Sequence, residues 1–116
     1  MPYSRLYYHI IWGTKYREPI ITPKIEPILF DLIRSKAIGL NGYVYALNGT
    51  EDLVHLVVHI PRTAKVSQFV GKVKGSSSAR INKMGICINH FYWQSSYSVF
   101  TISEFMVPKI ITYVEK

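Results

Sequence analysis

Apolar positions recur along the chain in blocks whose spacing switches between two periods. The stretch SRLYYHIIWGTK (Ser4 to Lys15) is rich in β-branched and aromatic residues and predicts a strand. TKYREP follows as a basic turn ending at Pro19. Thr22-Pro23 reads as an N-cap and first-turn proline, and Ile25, Ile28, Leu29, Leu32 and Ile33 then keep helical spacing. A helix is therefore expected from Thr22 to about Leu40, with Pro27 in its first turn and Asn41-Gly42 as its stop. YVYALNG (Tyr43 to Gly49) and LVHLVVHI (closed by Pro61) predict two strands paired as a hairpin, with a turn at Asn48-Gly49. Val66, Phe69, Val70 and Val73 predict a second helix with a Lys-rich outer side, weakened by Gly71, Gly75 and three serines. FYWQSSYSVFTIS alternates like one or two short strands. A last helix starts near the cap residue Ser103, with a kink or later start at Pro108.

The order β-α-β-β-α-β-α is the split βαβ pattern. The fold class expected is α+β: one ferredoxin-like or RRM-like antiparallel sheet, two helices on one face, and a C-terminal helix. Many functions use this fold, so it decides none of them.

A length of 116 residues suits one domain spanning the chain, and 48% apolar content argues against disorder. No apolar run approaches the roughly 20 residues of a membrane span. The N-terminus lacks a signal-peptide pattern, and the lone Cys87, set among apolar neighbours, fits a reducing compartment. A cytoplasmic protein with no membrane partner is the expectation. Charge changes the picture more. Fourteen Lys and Arg oppose seven Asp and Glu, a net +7 with 14% aromatic residues. Nucleic acid is the commonest partner for that balance.

EDLVHLVVHIP carries His55 and His59. On a strand, residues at i and i+2 share a face with Cα atoms roughly 7 Å apart, so both imidazoles can reach one ion. At i and i+4 the separation is about 13 Å, too far for two short metal–nitrogen bonds. His59 is thus expected to be a strand-end surface histidine. The i−2 partner of His55 is Leu53, which ligates nothing. His9 lies on the first strand, next to the third in this topology, and is a candidate substitute ligand.

YYHIIWGTKYREPI, GYVYALNGTEDLVHLVVHIP, FVGKVKGSSSARIN, FYWQSSYSVFTIS and ITYVEK, in that order over nearly the whole chain, resemble the single-tyrosine HUH transposases of small bacterial insertion sequences. The resemblance implies a homodimer that binds single-stranded DNA hairpins at element ends. It implies a divalent ion, magnesium or manganese, that polarises the scissile phosphate, and a tyrosine that attacks it to form a 5′-phosphotyrosine link. Tyr113 matches that tyrosine and His55 the second histidine of the metal motif. Leu53 stands where the first histidine belongs, and the family's glutamine ligand would fall just past Lys116, the last residue given. The ligand set predicts weak cleavage or none with magnesium or manganese.

Lys15, Arg17, Lys72, Lys74 and Arg80 suit phosphate contacts, with hydroxyls of Ser76, Ser77 and Ser78 as added donors. Gln94, with Trp93 and Tyr97, lies where bases would stack. Two functions remain: a transposase that cuts and rejoins single-stranded DNA, or a decayed or domesticated relative that binds nucleic acid without cleaving it. An unrelated metal-dependent nuclease would need a carboxylate cluster that the sequence lacks.

Overall fold

The computed structural model of the chain describes residues 6–116. Strand β1 is Tyr7–Gly13, followed by helix α1 (Glu26–Gly39) and strands β2 (Tyr43–Gly49) and β3 (Leu53–His59). Helix α2 (Val66–Lys83), strand β4 (Ser98–Ile102) and helix α3 (Val107–Glu115) complete the order. The expected start of the first strand, Ser4, lies outside the described residues.

The strands form one sheet in the order β2-β3-β1-β4, and each neighbouring pair is antiparallel. This is the split βαβ arrangement, with β1 and β3 in the middle. Alternation along those two strands divides the sheet into two faces. Ile10, Trp12, Val54, Leu56 and Val58 face α1 and α2, where Leu29, Ile33, Ala37, Phe69, Val70, Val73 and Ile81 close the main core. On the other face Ala46 and Val57 pack against Val114 of α3.

Local chemistry sets the boundaries. Thr22 receives the Ile25 amide on its hydroxyl at 3.3 Å, so it organises the turn that precedes α1. The regular helix begins four residues later than the periodicity predicts, with Pro27 in its first turn. Asn41 ends the helix in the left-handed region at φ 66°. The turn expected at Asn48-Gly49 sits further on: Asn48 and Gly49 remain in β2, paired with His55 and Val54, and the connection is residues 50–52. Ser103 makes no side-chain cap bond; one 3-10 turn, Glu104–Met106, leads into α3, whose start at Val107 admits Pro108 in its first turn.

One irregularity decides what reaches the α3 face. Val44 pairs with Val58, but Ala46 pairs with Val57, so Tyr45 is bulged. The bulge shifts the phase of β2 by one residue and sets Asn48 opposite His55. In an unbulged ladder Asn48 would face the core opposite Val54.

Candidate active site and nucleic-acid surface

His9 on β1 and His55 on β3 stand diagonally across the sheet, since His9 pairs with Val57 and His55 with Ile11. Both therefore face α3. His9 Nε2 and His55 Nδ1 are 3.0 Å apart, one donating to the other according to tautomer. Their rings are 5.2 Å apart and tilted by 35°. Burial lowers the pKa of both imidazoles; for His9 the neighbouring His55 lowers it further. Both rings are thus biased toward the neutral form, which is what a hydrogen-bonded imidazole pair requires.

Tyr113 completes this group. Its ring is 6.5 Å from that of His9, close to edge-on, and the residue is 66% exposed. Val114 holds α3 to the sheet: its side chain is buried beside Ala46 and Val57, and its carbonyl accepts the Asn48 amide at 2.9 Å. Anchoring Val114 inward turns its neighbour Tyr113 toward solvent. Asn48, His55, Tyr113 and Lys116 line a cleft of about 270 Å³ at this point. Phe100 of β4 borders the pair on its other side, 6.2 Å from His9.

His59 does not join the pair. Its Nδ1 lies 3.0 Å from the Leu6 carbonyl at the strand end. Leu53 faces the same way as His55 and offers no donor. Among the described residues, no three His, Cys, Asp or Glu side chains gather into a metal cluster. The metal pair on a single strand that the resemblance implies therefore does not fit β3. Cys87 is half-buried against the core, and burial raises its thiol pKa.

The basic candidates divide into two groups. Lys15, Arg17 and Gln94 come together beyond the end of β1. The Lys15 amide donates to the Tyr92 carbonyl at 2.9 Å and the Gln94 amide to the Gly13 carbonyl at 3.0 Å. Arg17 pairs with Asp52 at 3.0 Å. A hydrogen bond from the Thr50 hydroxyl, and then the Arg17 guanidinium, hold the Asp52 carboxyl below its ordinary range. Lys72 and Arg80 are exposed on α2, over the opposite face of the sheet from Tyr113.

Lys74 departs from the expected outer side of α2. It is buried, and its ammonium donates to the Gln94 and Ser96 carbonyls at 2.7 and 3.1 Å. Burial lowers its pKa. Ser77, also buried, receives the Trp93 indole N–H at 3.1 Å. Asn82 bonds both backbone groups of Phe91. These three residues form one stripe of α2 that fastens the segment before β4. Lys74 and Ser77 thus hold this segment instead of forming the solvent-facing phosphate contacts expected of them.

Sequence reasoning missed two aromatic residues. Tyr16 is 82% exposed, and it and Arg17 hold left-handed backbone at φ 58° and 53°. That conformation costs a non-glycine residue roughly 1–2 kcal/mol. The Lys15 ammonium sits 5.5 Å from the Tyr16 ring and 5.0 Å from the Tyr92 ring. The His90 ring lies against that of Tyr92, centroids 4.4 Å apart and tilted by 42°. Exposed aromatic rings around a cation are what a stacking surface for unpaired bases requires. The signal in the sequence was TKYREP beside a strand end, read there as charge alone.

No helix among the described residues is long and apolar enough to cross a membrane. The chain matches the family described as "Transposase IS200 like" over residues 2–116. It is similar to the ISDra2 transposase TnpA of Deinococcus radiodurans, 28% identical, with 96% of this chain and 83% of the relative covered. It is also similar to the transposase for insertion sequence element IS200 of Salmonella typhimurium, 25% identical over 93% of this chain and 74% of that one. A crystal structure described as a transposase from Deinococcus radiodurans r1 superposes with a TM-score of 0.79 at 29% identity, covering 98% of this chain and 92% of the other. A REP-associated tyrosine transposase bound to a REP hairpin shares the fold, with a TM-score of 0.72 at 11% identity over 98% and 67% of the two chains. With the family pattern running through the whole described fold, the chain belongs to the IS200-like transposase family, proteins of DNA transposition.

Proposed function

We propose that the chain binds single-stranded DNA with hairpin ends and cuts and rejoins it through Tyr113. The observation that carries this reading is the position of Tyr113: solvent-exposed, on a helix pinned beside a buried imidazole pair. In the reaction the phenolic oxygen attacks phosphorus and forms a 5′-phosphotyrosine, and the displaced strand keeps a 3′-hydroxyl. The phenol proton passes to solvent or to the imidazole pair. The reverse attack by a 3′-hydroxyl restores a phosphodiester and frees the tyrosine, so no external energy source is consumed.

The DNA reaches the site from the end of β1. Lys15 and Arg17 supply phosphate contacts, and Tyr16 and Tyr92 stack unpaired bases. The chain works as a homodimer. The exposed edge strand β4 favours this, with Val99 and Phe100 accessible and one row of backbone groups open to pairing. Within one chain α3 already lies on its own sheet, so Tyr113 and the His pair meet without a partner.

The test is a denaturing gel with end-labelled hairpin-flanked single-stranded DNA. A covalent protein–DNA adduct is expected from the parent chain and none from Tyr113→Phe. The second reading, a binding module that no longer cuts, is favoured by Leu53 in the metal motif. It predicts hairpin binding with no adduct under any ionic condition.

A further inference from the structure

The loop that follows β1 is fastened to the β2–β3 connection by main-chain bonds at both ends and by one side chain between them. The Thr14 amide donates to the Asp52 carbonyl at 3.0 Å and the Ile21 amide to the Glu51 carbonyl at 2.9 Å. Within this span Arg17 Nε donates to Asp52 Oδ2 at 3.0 Å. The other carboxylate oxygen, Oδ1, accepts the Thr50 hydroxyl at 2.9 Å. We propose that Asp52 is a positioning residue for nucleic acid. Its carboxylate holds the Arg17 guanidinium at Nε and leaves the two terminal nitrogens as a fork for one phosphate of a bound single strand. This role rests on the reading of Arg17 as a phosphate contact.

An arginine side chain has many rotamers and loses that freedom when a ligand fixes it. Asp52 meets part of this loss before DNA arrives. It engages Nε alone, and among the described residues neither Nη group has a hydrogen-bond partner. A guanidinium gripped at Nε still offers Nη1 and Nη2 as the parallel pair of donors that a phosphate accepts. Exposure divides the two roles: the Arg17 side chain is 54% exposed and that of Asp52 25%. The backbone adds a second restraint. Tyr16 and Arg17 both hold left-handed conformation, at φ 58° and 53°. Consecutive residues of this kind persist only where their surroundings hold them, and the Arg17–Asp52 bond is one such hold.

A carboxylate beside a phosphate site also repels the anion, so the sign of its effect depends on placement. To compete, Asp52 would have to occupy the end of the guanidinium that the phosphate needs. It takes the Nε side instead. Its second oxygen is turned to Thr50, and that hydroxyl first, then the guanidinium, hold the carboxyl below its ordinary range. The negative charge is thus shared between two donors, and the Nη end stays free of it.

The experiment uses the full chain and single-stranded DNA in fluorescence anisotropy, with Kd measured across a salt series. Each phosphate contact on a single strand contributes about 0.7 to the slope of log affinity against log salt. Arg17→Ala should weaken binding and lower the slope by about that amount. Asp52→Ala should lower the slope likewise and weaken binding about 2- to 10-fold, as an arginine left to be ordered by DNA does. Asp52→Asn, which keeps an acceptor for Nε, should fall between Asp52→Ala and the parent. In a chain already carrying Arg17→Ala, Asp52→Ala should add nothing, a result that general loosening of the loop would not give. Thermal melts report whether each variant folds. Tighter binding by Asp52→Ala or Asp52→Asn would show that the carboxylate opposes the phosphate and would overturn the proposal. So would a parent-like slope in Asp52→Ala where Arg17→Ala loses slope, or equal weakening by Asp52→Ala with and without Arg17. An Arg17→Ala chain that binds as the parent does, or a parent that does not bind, would defeat the proposed function itself and this role with it.

Discussion

On one face of the sheet Ile10, Trp12, Val54, Leu56 and Val58 lie fully under α1 and α2; on the other, His9, His55 and Val57 lie under one helix of nine residues. The same two strands supply both faces, in alternate residues. The first is sealed by a large apolar cluster and carries most of the burial that stabilises the fold. The second buries a small cluster centred on Val57 and Val114, and leaves Tyr113 and the cleft beside it open to water. The difference teaches why chemistry resides where it does. A polar pair beneath two tightly packed helices would have to be satisfied wholly from within, whereas a partial cover leaves the pair within reach of water and substrate.

Variants on the two faces should therefore fail in different ways. The largest effect is on activity: Tyr113→Phe should lower adduct formation by about 10⁴-fold or more, as loss of a nucleophile does. Its melting temperature should match the parent, since an exposed hydroxyl is all that is lost. A large drop in stability would make Tyr113 part of the packing and blur the comparison. Leu56→Ala, on the sealed face, should cost about 2–5 kcal/mol of stability in a denaturant titration. Adduct formed per folded molecule should hardly change.

A smaller effect tests the open face by addition. Leu53→His would place a second imidazole on the β3 face of His55, and adduct formation with manganese should rise about 10- to 100-fold. No gain would mean that position 53 cannot reach the ion. Tyr16→Ala probes the DNA approach. It should weaken binding of single-stranded DNA by about 1–3 kcal/mol in fluorescence anisotropy, the contribution of one stacked base. Duplex binding should be unaffected.

The smallest effect is on pH dependence. In the folded chain both imidazoles titrate below their ordinary value of about 6.5. As pH falls, the unfolded chain takes up these protons first, so the folded state loses stability from about pH 6.5 downward until the folded groups have titrated too. Above that range the pair adds no pH dependence. Phe100 and Tyr113 are the rings that flank His9 from β4 and α3. Denaturant midpoints of metal-free protein should fall across this window, and the fall should be shallower in His9→Phe. An equally steep curve in the variant would assign it to other groups.

Much of this was legible in the sequence. Period-two and helical blocks gave the element order, and β2 spans the block Tyr43 to Gly49 read from the sequence, with the turn lying past Asn48-Gly49 rather than at it. The strand argument against a shared ion for His55 and His59 holds, because both the spacing and the observed bond of His59 to Leu6 keep them apart. The approach of His9 to His55 was legible as a possibility, from topology. The bulge at Tyr45 was not, and so neither was Asn48 as the tether of α3: phase shifts in a ladder leave no mark in a seven-residue block. Lys74 misled because helical spacing gives direction but not cover, and the segment that buries it has almost no regular structure. Tyr16 was hidden because two consecutive left-handed residues without glycine run against backbone preference.

Leu53 lies between two glycines whose missing side chains matter. A Cβ on Gly49 would fall 2.0 Å from the Leu53 carbonyl oxygen, and one on Gly13, its partner on β1, 2.8 Å from Arg17 Cδ and 3.0 Å from the Asp52 carbonyl oxygen. The backbone at position 53 is thus positioned by close main-chain contacts on either side, with the Thr50 amide bonded to the Leu53 carbonyl at 2.9 Å. These contacts are made by the main chain, whatever side chain stands at position 53. A residue in that situation is free to drift: histidine can become leucine, or leucine histidine, while the hairpin keeps its shape. The hairpin can therefore accept a change of side chain at position 53 without first losing a folded protein.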